Sequence, residues 1–287
     1  MAASRALPLA ALGGLVAALL FGAVLTGSFG GYILFWMAPL PLFVVGLRLG
    51  TRAVAVGGLV GTVALAAADP ALALVFAATT GLPVLLLSGI AVTQPRDRVA
   101  GTLVLALTGI ALAAFGIAYV MAWDQEGGLL GASTATLKEA VAWAKETIDQ
   151  MVPGAVQASD MSDEAIKAAA MKLPGVFAAT WVALILAGNG ILAEGALARF
   201  GGGLAPAPAM ASIAVPRVLS VALVAALVAG YAGKGEVAFI GVSLVEILSV
   251  SMLFVGLGVV HAFLARHAAG AILLTVFYAV VFGFTIT

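Results

Sequence analysis

Three ionisable side chains interrupt otherwise apolar runs, and chemistry would sit there: Glu194, Glu246 and His261. An unpaired charge inside a bilayer costs several kcal/mol, so each needs a polar partner or a watered cavity and is by default a functional candidate. At 1.5 Å per helical residue, Glu246 falls about 14 Å inward from Val237, near mid-bilayer, with Ser243 and Ser249 on the same helical face. Asn189 falls at a comparable depth in its own run. Glu194 and His261 each lie about one turn from a helix end, and His261 is about 22 Å along the axis from Glu246. The spacing groups Glu246, Asn189, Ser243 and Ser249 as a candidate substrate-binding set, and Glu194 with His261 as a secondary polar pair. The structural alternative for the second pair is snorkelling to the interface, or pairing with Arg199 and Arg266.

Other chemistry has no residues to carry it. With no cysteine, disulfides, thiolate nucleophiles and Cys-ligated metals are excluded. No HExxH, Gly-x-Ser-x-Gly or paired-carboxylate pattern occurs, and Gly201-Gly202-Gly203 lacks the Lys-Ser/Thr of a phosphate-binding loop. The expectation is therefore no catalytic residue, no metal, no cofactor and no enzyme. A net charge of zero leaves no basic footprint for nucleic acid.

The elements that must position these groups are membrane spans. Of 287 residues 63% are hydrophobic and 9% charged, with a mean hydropathy of +1.21, far from a soluble balance. At roughly 20 residues per span, the apolar runs 6–25, 32–46, 53–68, 71–92, 100–122, 174–198, 218–232, 237–264 and 268–286 predict an all-α polytopic transmembrane bundle of about nine spans. The first run carries Ala6, Ala10, Gly14, Ala18 and Gly22 at four-residue intervals, a small-residue strip suited to close packing within the chain or to a partner helix. Pro39 and Pro41 each remove a backbone donor, so the second run should kink or break there, as a bent span or a re-entrant element. Asp69-Pro70 has the residue types of an N-cap followed by the first helical position.

Between the halves 1–123 and 174–287 lies a polar island, 124–173, with eight acids against four lysines. Its apolar residues recur at helical spacing. Thr136-x-x-Glu139 has the form of a capping box, Pro153-Gly154 a stop and Ser162 a second start, predicting two short amphipathic helices. An acidic balance argues against an anionic-lipid anchor and favours a cap over the spans or a contact surface.

Orientation follows from basic residues. With alternating spans, Arg5, Arg48, Arg52, Arg96, Arg98, Arg199, Arg217 and Arg266 share one face, whereas Lys138, Lys145, Lys167, Lys172 and Lys234 share the other. The positive-inside rule weights short loops, which makes the arginine face cytoplasmic. The amino terminus is then inside a bacterial inner membrane, with the island and the carboxyl terminus outside. Tyr32, Tyr119, Trp123 and Tyr231 fall near the outer boundary, where amphipathic rings are enriched.

The stretch Ala38-Pro39-Leu40-Pro41-Leu42, followed by Gly46-Leu47-Arg48-Leu49-Gly50, resembles the YybS-like family of bacterial multi-pass membrane proteins. That family has been compared with the substrate-capture (S) subunits of energy-coupling-factor importers. The resemblance implies a small-solute-binding bundle that works with a transmembrane coupling protein and ATPase subunits, docked through a first-helix strip matched here by Ala6, Ala10 and Gly14. This chain exceeds their six-span pattern by about three spans and adds the island. The alternative function is a membrane scaffold or assembly factor acting through helix surfaces and the island.

Overall fold

In lipid a backbone must bond to itself, and a helix does so within one segment. The computed structural model describes residues 2–151, 162–206, 208, 213–264, 266–267 and 269–286, and among these residues every regular element is helical. The order is α1 (Ala2–Gly22), α2 (Phe29–Trp36), α3 (Pro39–Leu49), α4 (Thr51–Ala66), α5 (Pro70–Phe76), α6 (Leu82–Thr93), α7 (Val99–Met121), α8 (Gly128–Met151), α9 (Asp163–Thr180), α10 (Gly188–Phe200), α11 (Arg217–Ala232), α12 (Glu236–Leu264) and α13 (Gly270–Ile286). A π-helical turn, Ala77–Gly81, joins α5 to α6, and another, Trp181–Ala187, joins α9 to α10.

Among the described residues six helices are long and apolar enough to cross a membrane: Ala6–Thr26, Phe29–Leu49, Pro70–Thr93, Val99–Met121, Asp163–Phe200 and Glu236–Leu264. Two further apolar helices, α4 and α11, have 16 residues each, or about 24 Å against a hydrocarbon core of about 30 Å. Their ends are set locally. Gly50 at φ 90° and the Asp69-Pro70 cap bound α4, while Pro216 and Gly233 bound α11.

Two expectations for the island need correction. Thr136 does not start a helix. Gly127 and Gly128, at φ 75° and 59°, turn the chain, so that α8 begins at Gly128, and the Thr136 hydroxyl donates to the Ala132 carbonyl one turn back. Ser162 does cap α9, accepting the Ala165 amide at 3.2 Å. That helix then runs through Pro174 into the following span, making one 38-residue helical segment, Asp163–Phe200. At about 57 Å it outreaches the hydrocarbon core, so its charged start projects beyond. Pro153-Gly154 lies outside the described residues.

The chain divides into two compact units, each drawing on both linear halves: Met1–Leu107, Ala183–Val215 and Ser251–Thr287 form the first, Thr108–Val182 and Pro216–Val250 the second. In the first, α1 lies on α4 backbone to backbone. A Cβ on Gly14 would collide with the Gly57 carbonyl, one on Gly57 would come 2.8 Å from the Ala10 oxygen, and one on Gly61 2.7 Å from the Gly14 oxygen. Ala10, Gly14 and Ala18 are buried, with Ala6 and Gly22 half-buried. Phe21 packs between Phe35 and Phe76 at 4.9 and 5.2 Å. In the second unit Gly175 of α9 meets the Ser243 backbone of α12, and Lys138 bridges to Asp163 at 2.8 Å between α8 and α9.

Because a methyl group has nowhere to go at the α1–α4 crossing, Gly14→Ala should cost about 1–3 kcal/mol through overpacking. Gly116→Ala, whose Cβ meets nothing within 4 Å, should be neutral or gain up to about 1 kcal/mol in helix propensity. Thermal unfolding in detergent reads both, and equal midpoints would refute the backbone-close crossing.

Candidate functional site

Proline chemistry builds one wall of the site. Pro39 and Pro41 offer no N–H, so a helix continuing from α2 would lose two bonds. Instead the chain turns at Met37-Ala38 and restarts with Pro39 in the first turn of α3, where amides have no helical acceptor anyway. Leu40 donates to the Met37 carbonyl at 3.1 Å, not to Trp36. The freed Trp36 carbonyl is taken by Asn189, whose side-chain nitrogen donates to it at 2.8 Å and to Ile185 of the π turn at 2.6 Å. Asn189 is only 5% exposed, and its Oδ1 has no partner among the described residues. Its donors therefore hold a broken helix together.

Directly after Asn189, α10 presents Gly190, Ile191 and, one turn on, Glu194 to a cavity of about 120 Å³ within the first unit. Phe43 and Leu47 of α3, Leu87, Ser88 and Ala91 of α6, and Val104 of α7 line the other sides. The lining is apolar apart from Glu194 and Ser88, and the Ser88 hydroxyl is engaged by the Val84 carbonyl at 2.5 Å. Glu194 also borders a wider space of about 330 Å³ with Leu197, Gly202, Gly203 and Ala205. Here the link after α10 folds back, its Leu204 amide donating to the Leu47 carbonyl at 2.9 Å. A half-buried carboxylate thus stands where an apolar cavity meets a more polar one. Among the described residues it makes no ion pair, with Arg199, His261 or any other group. His261, in the same unit, is half-buried, and its Nδ1 has no partner among the described residues.

The Glu246 group is distributed differently from its spacing in the chain. Glu246, Ser243 and Ser249 lie in the second unit and Asn189 in the first. Glu246 is half-buried, without a hydrogen bond or ion pair among the described residues. Ser243 is fully buried at the Gly175 crossing, its hydroxyl without a partner among the described residues, and Ser249 donates to the Val245 carbonyl at 2.6 Å. The cavity itself was not visible in the sequence. The available signal was Gly190 four residues before Glu194, which puts a small residue and an acid on one helix face. Among the described residues no group of three or more His, Cys, Asp or Glu could hold a metal ion.

Described residues whose regular elements are all helical, six of those helices of membrane length and apolar, with a carboxylate at the mouth of an apolar cavity, define an integral membrane protein. The chain belongs to a family of predicted membrane proteins, DUF2232, whose model matches residues 15–287. No curated protein and no solved structure matches it.

Asn189→Ala leaves the Trp36 carbonyl at the helix break unbonded and should cost about 1–3 kcal/mol. Asn189→Asp should cost more, because it turns carboxylate oxygens toward two carbonyls. Thermal unfolding in detergent measures the order; an alanine variant as stable as the parent would mean the break is held by something else.

Proposed function

We propose that the protein binds a small solute in the first unit's cavity, with Glu194 as the polar anchor. The observation that carries this reading is the placement of one unpaired carboxylate at the junction of an apolar and a more polar space. A half-buried acid without a partner is costly in lipid, and a solute bearing a hydrogen-bond donor or a cationic group beside an apolar body would relieve it. The resemblance of the Pro39/Pro41 stretch to the YybS-like family, which has been compared with S subunits, supports a transport role with coupling and ATPase subunits and no catalysis. Ala10, Gly14 and Ala18 are already packed on α4, so such a partner would dock away from the centre of that strip. Glu246 is the second acidic candidate of the same reading.

The topology that goes with this function has nine crossings. α4, α11 and α13 complete the six longer helices, and the arginine segregation supports an amino terminus in the cytoplasm with α8 outside the inner membrane; a reporter fused at Gly131 reads that side directly. The scaffold reading rests on one observation, the 69% exposure of Trp143 on amphipathic α8.

Native mass spectrometry of protein purified from its own membranes tests solute binding. A Cβ at Gly190 would make only ordinary contacts, 3.7 Å from Phe43, so the larger side chain of Gly190→Leu should project into the cavity without breaking the fold. The parent should retain a small-molecule adduct, Glu194→Gln should weaken it at least tenfold and Gly190→Leu should abolish it. An adduct retained equally by folded variants, or a parent with no adduct, would favour the scaffold.

A further inference from the structure

A second cavity, about 390 Å³, lies wholly within the second unit where α7 ends and α12 begins. Tyr119 and Trp123 form two of its walls, with ring centroids 5.9 Å apart and planes at 68°. The buried Phe239 ring contributes from α12. Glu236, the first residue of α12, brings a carboxylate that accepts the Tyr119 hydroxyl. Gly127, Gly128, Leu129, Leu130 and Gly235 complete the lining, and a Cβ on Gly128 would meet nothing within 4 Å, so the space stays open there. Among the described residues no cation pairs with Glu236; Lys234, two residues away, is exposed and does not bridge to it. Trp123, although beside this cavity, remains 68% exposed.

Aromatic ring faces and a carboxylate share one preference. The rings attract a cation through their quadrupoles, most strongly at an indole, and the carboxylate attracts it by charge. A bare metal ion would want several oxygen ligands, which this set does not offer, whereas an ammonium carried on an alkyl chain suits aromatic walls. The site stands at the ends of two membrane-length helices, Val99–Met121 and Glu236–Leu264, and helix ends of that kind are where lipid headgroups and free solutes meet a spanning protein. We propose that the Tyr119–Trp123–Glu236 cavity is a binding site for an alkylammonium group, separate from the Glu194 cavity.

The test uses the full-length protein in two arms. Binding of radiolabelled choline in a maltoside detergent probes a free solute. Native mass spectrometry from nanodiscs of mixed phosphatidylethanolamine and phosphatidylglycerol probes a lipid headgroup. Saturable choline binding, enrichment of phosphatidylethanolamine adducts, or both, is expected, and the responding arm identifies the source. Trp123→Leu and Glu236→Gln should each weaken the signal at least tenfold. Glu236→Gln keeps an acceptor for the Tyr119 hydroxyl, so it decides the matter if the tryptophan variant unfolds. Absence of signal in both arms, or a folded Glu236→Gln protein that binds like the parent, would overturn the proposal.

Discussion

The first unit depends on how one carbonyl is satisfied. Two prolines break the segment Phe29–Leu49, and in lipid a broken helix persists only where another protein group replaces the missing bond. Asn189 supplies it to Trp36 from a helix more than 150 positions away. That bond joins the end of α2 to the start of α10, and α3 and α10 both continue into the cavity wall. The placement of Glu194 therefore follows from a backbone hydrogen-bond requirement as much as from apolar packing.

Close helix approach supplies the rest of the scaffold. Lipid tails are as apolar as leucine, so helices gain little by hiding such side chains from them and associate through packing and hydrogen bonds. Glycines at the α1–α4 crossing and at the Gly175–Ser243 contact bring backbones together. Larger residues on the opposite face of α1, such as Leu12 and Leu19, remain exposed on the protein surface, as expected of lipid-facing positions.

Local rules were legible in the sequence. The Asp69 carboxylate caps α5, accepting the Ala71 and Leu72 amides at 2.8 and 3.3 Å, and Ser162 caps α9, because a cap needs only its neighbours. The break at Pro39 was equally local. The Thr136 box misled because the earlier turn at Gly127-Gly128 had already started α8, and Pro174 did not end the helix that contains it. What escaped was long-range. Nothing in the spacing joins Asn189 to Trp36 or Tyr119 to Glu236, and hydropathy alone directs attention to the deepest acid, Glu246, although the acid beside the cavity is Glu194.

The account turns on whether water and solutes reach Glu194. With no native cysteine in the chain, a single Glu194→Cys variant can be probed without background. Thiol reagents attack the thiolate, which forms only where water or a charge supports it. Reaction with a membrane-impermeant methanethiosulfonate reagent, applied to inverted membranes and to intact cells, should label Cys at 194 from one side at least tenfold faster than Cys at the surface position Leu192. No labelling at 194 from either side, or equal rates at both positions, would contradict a cavity that admits solute.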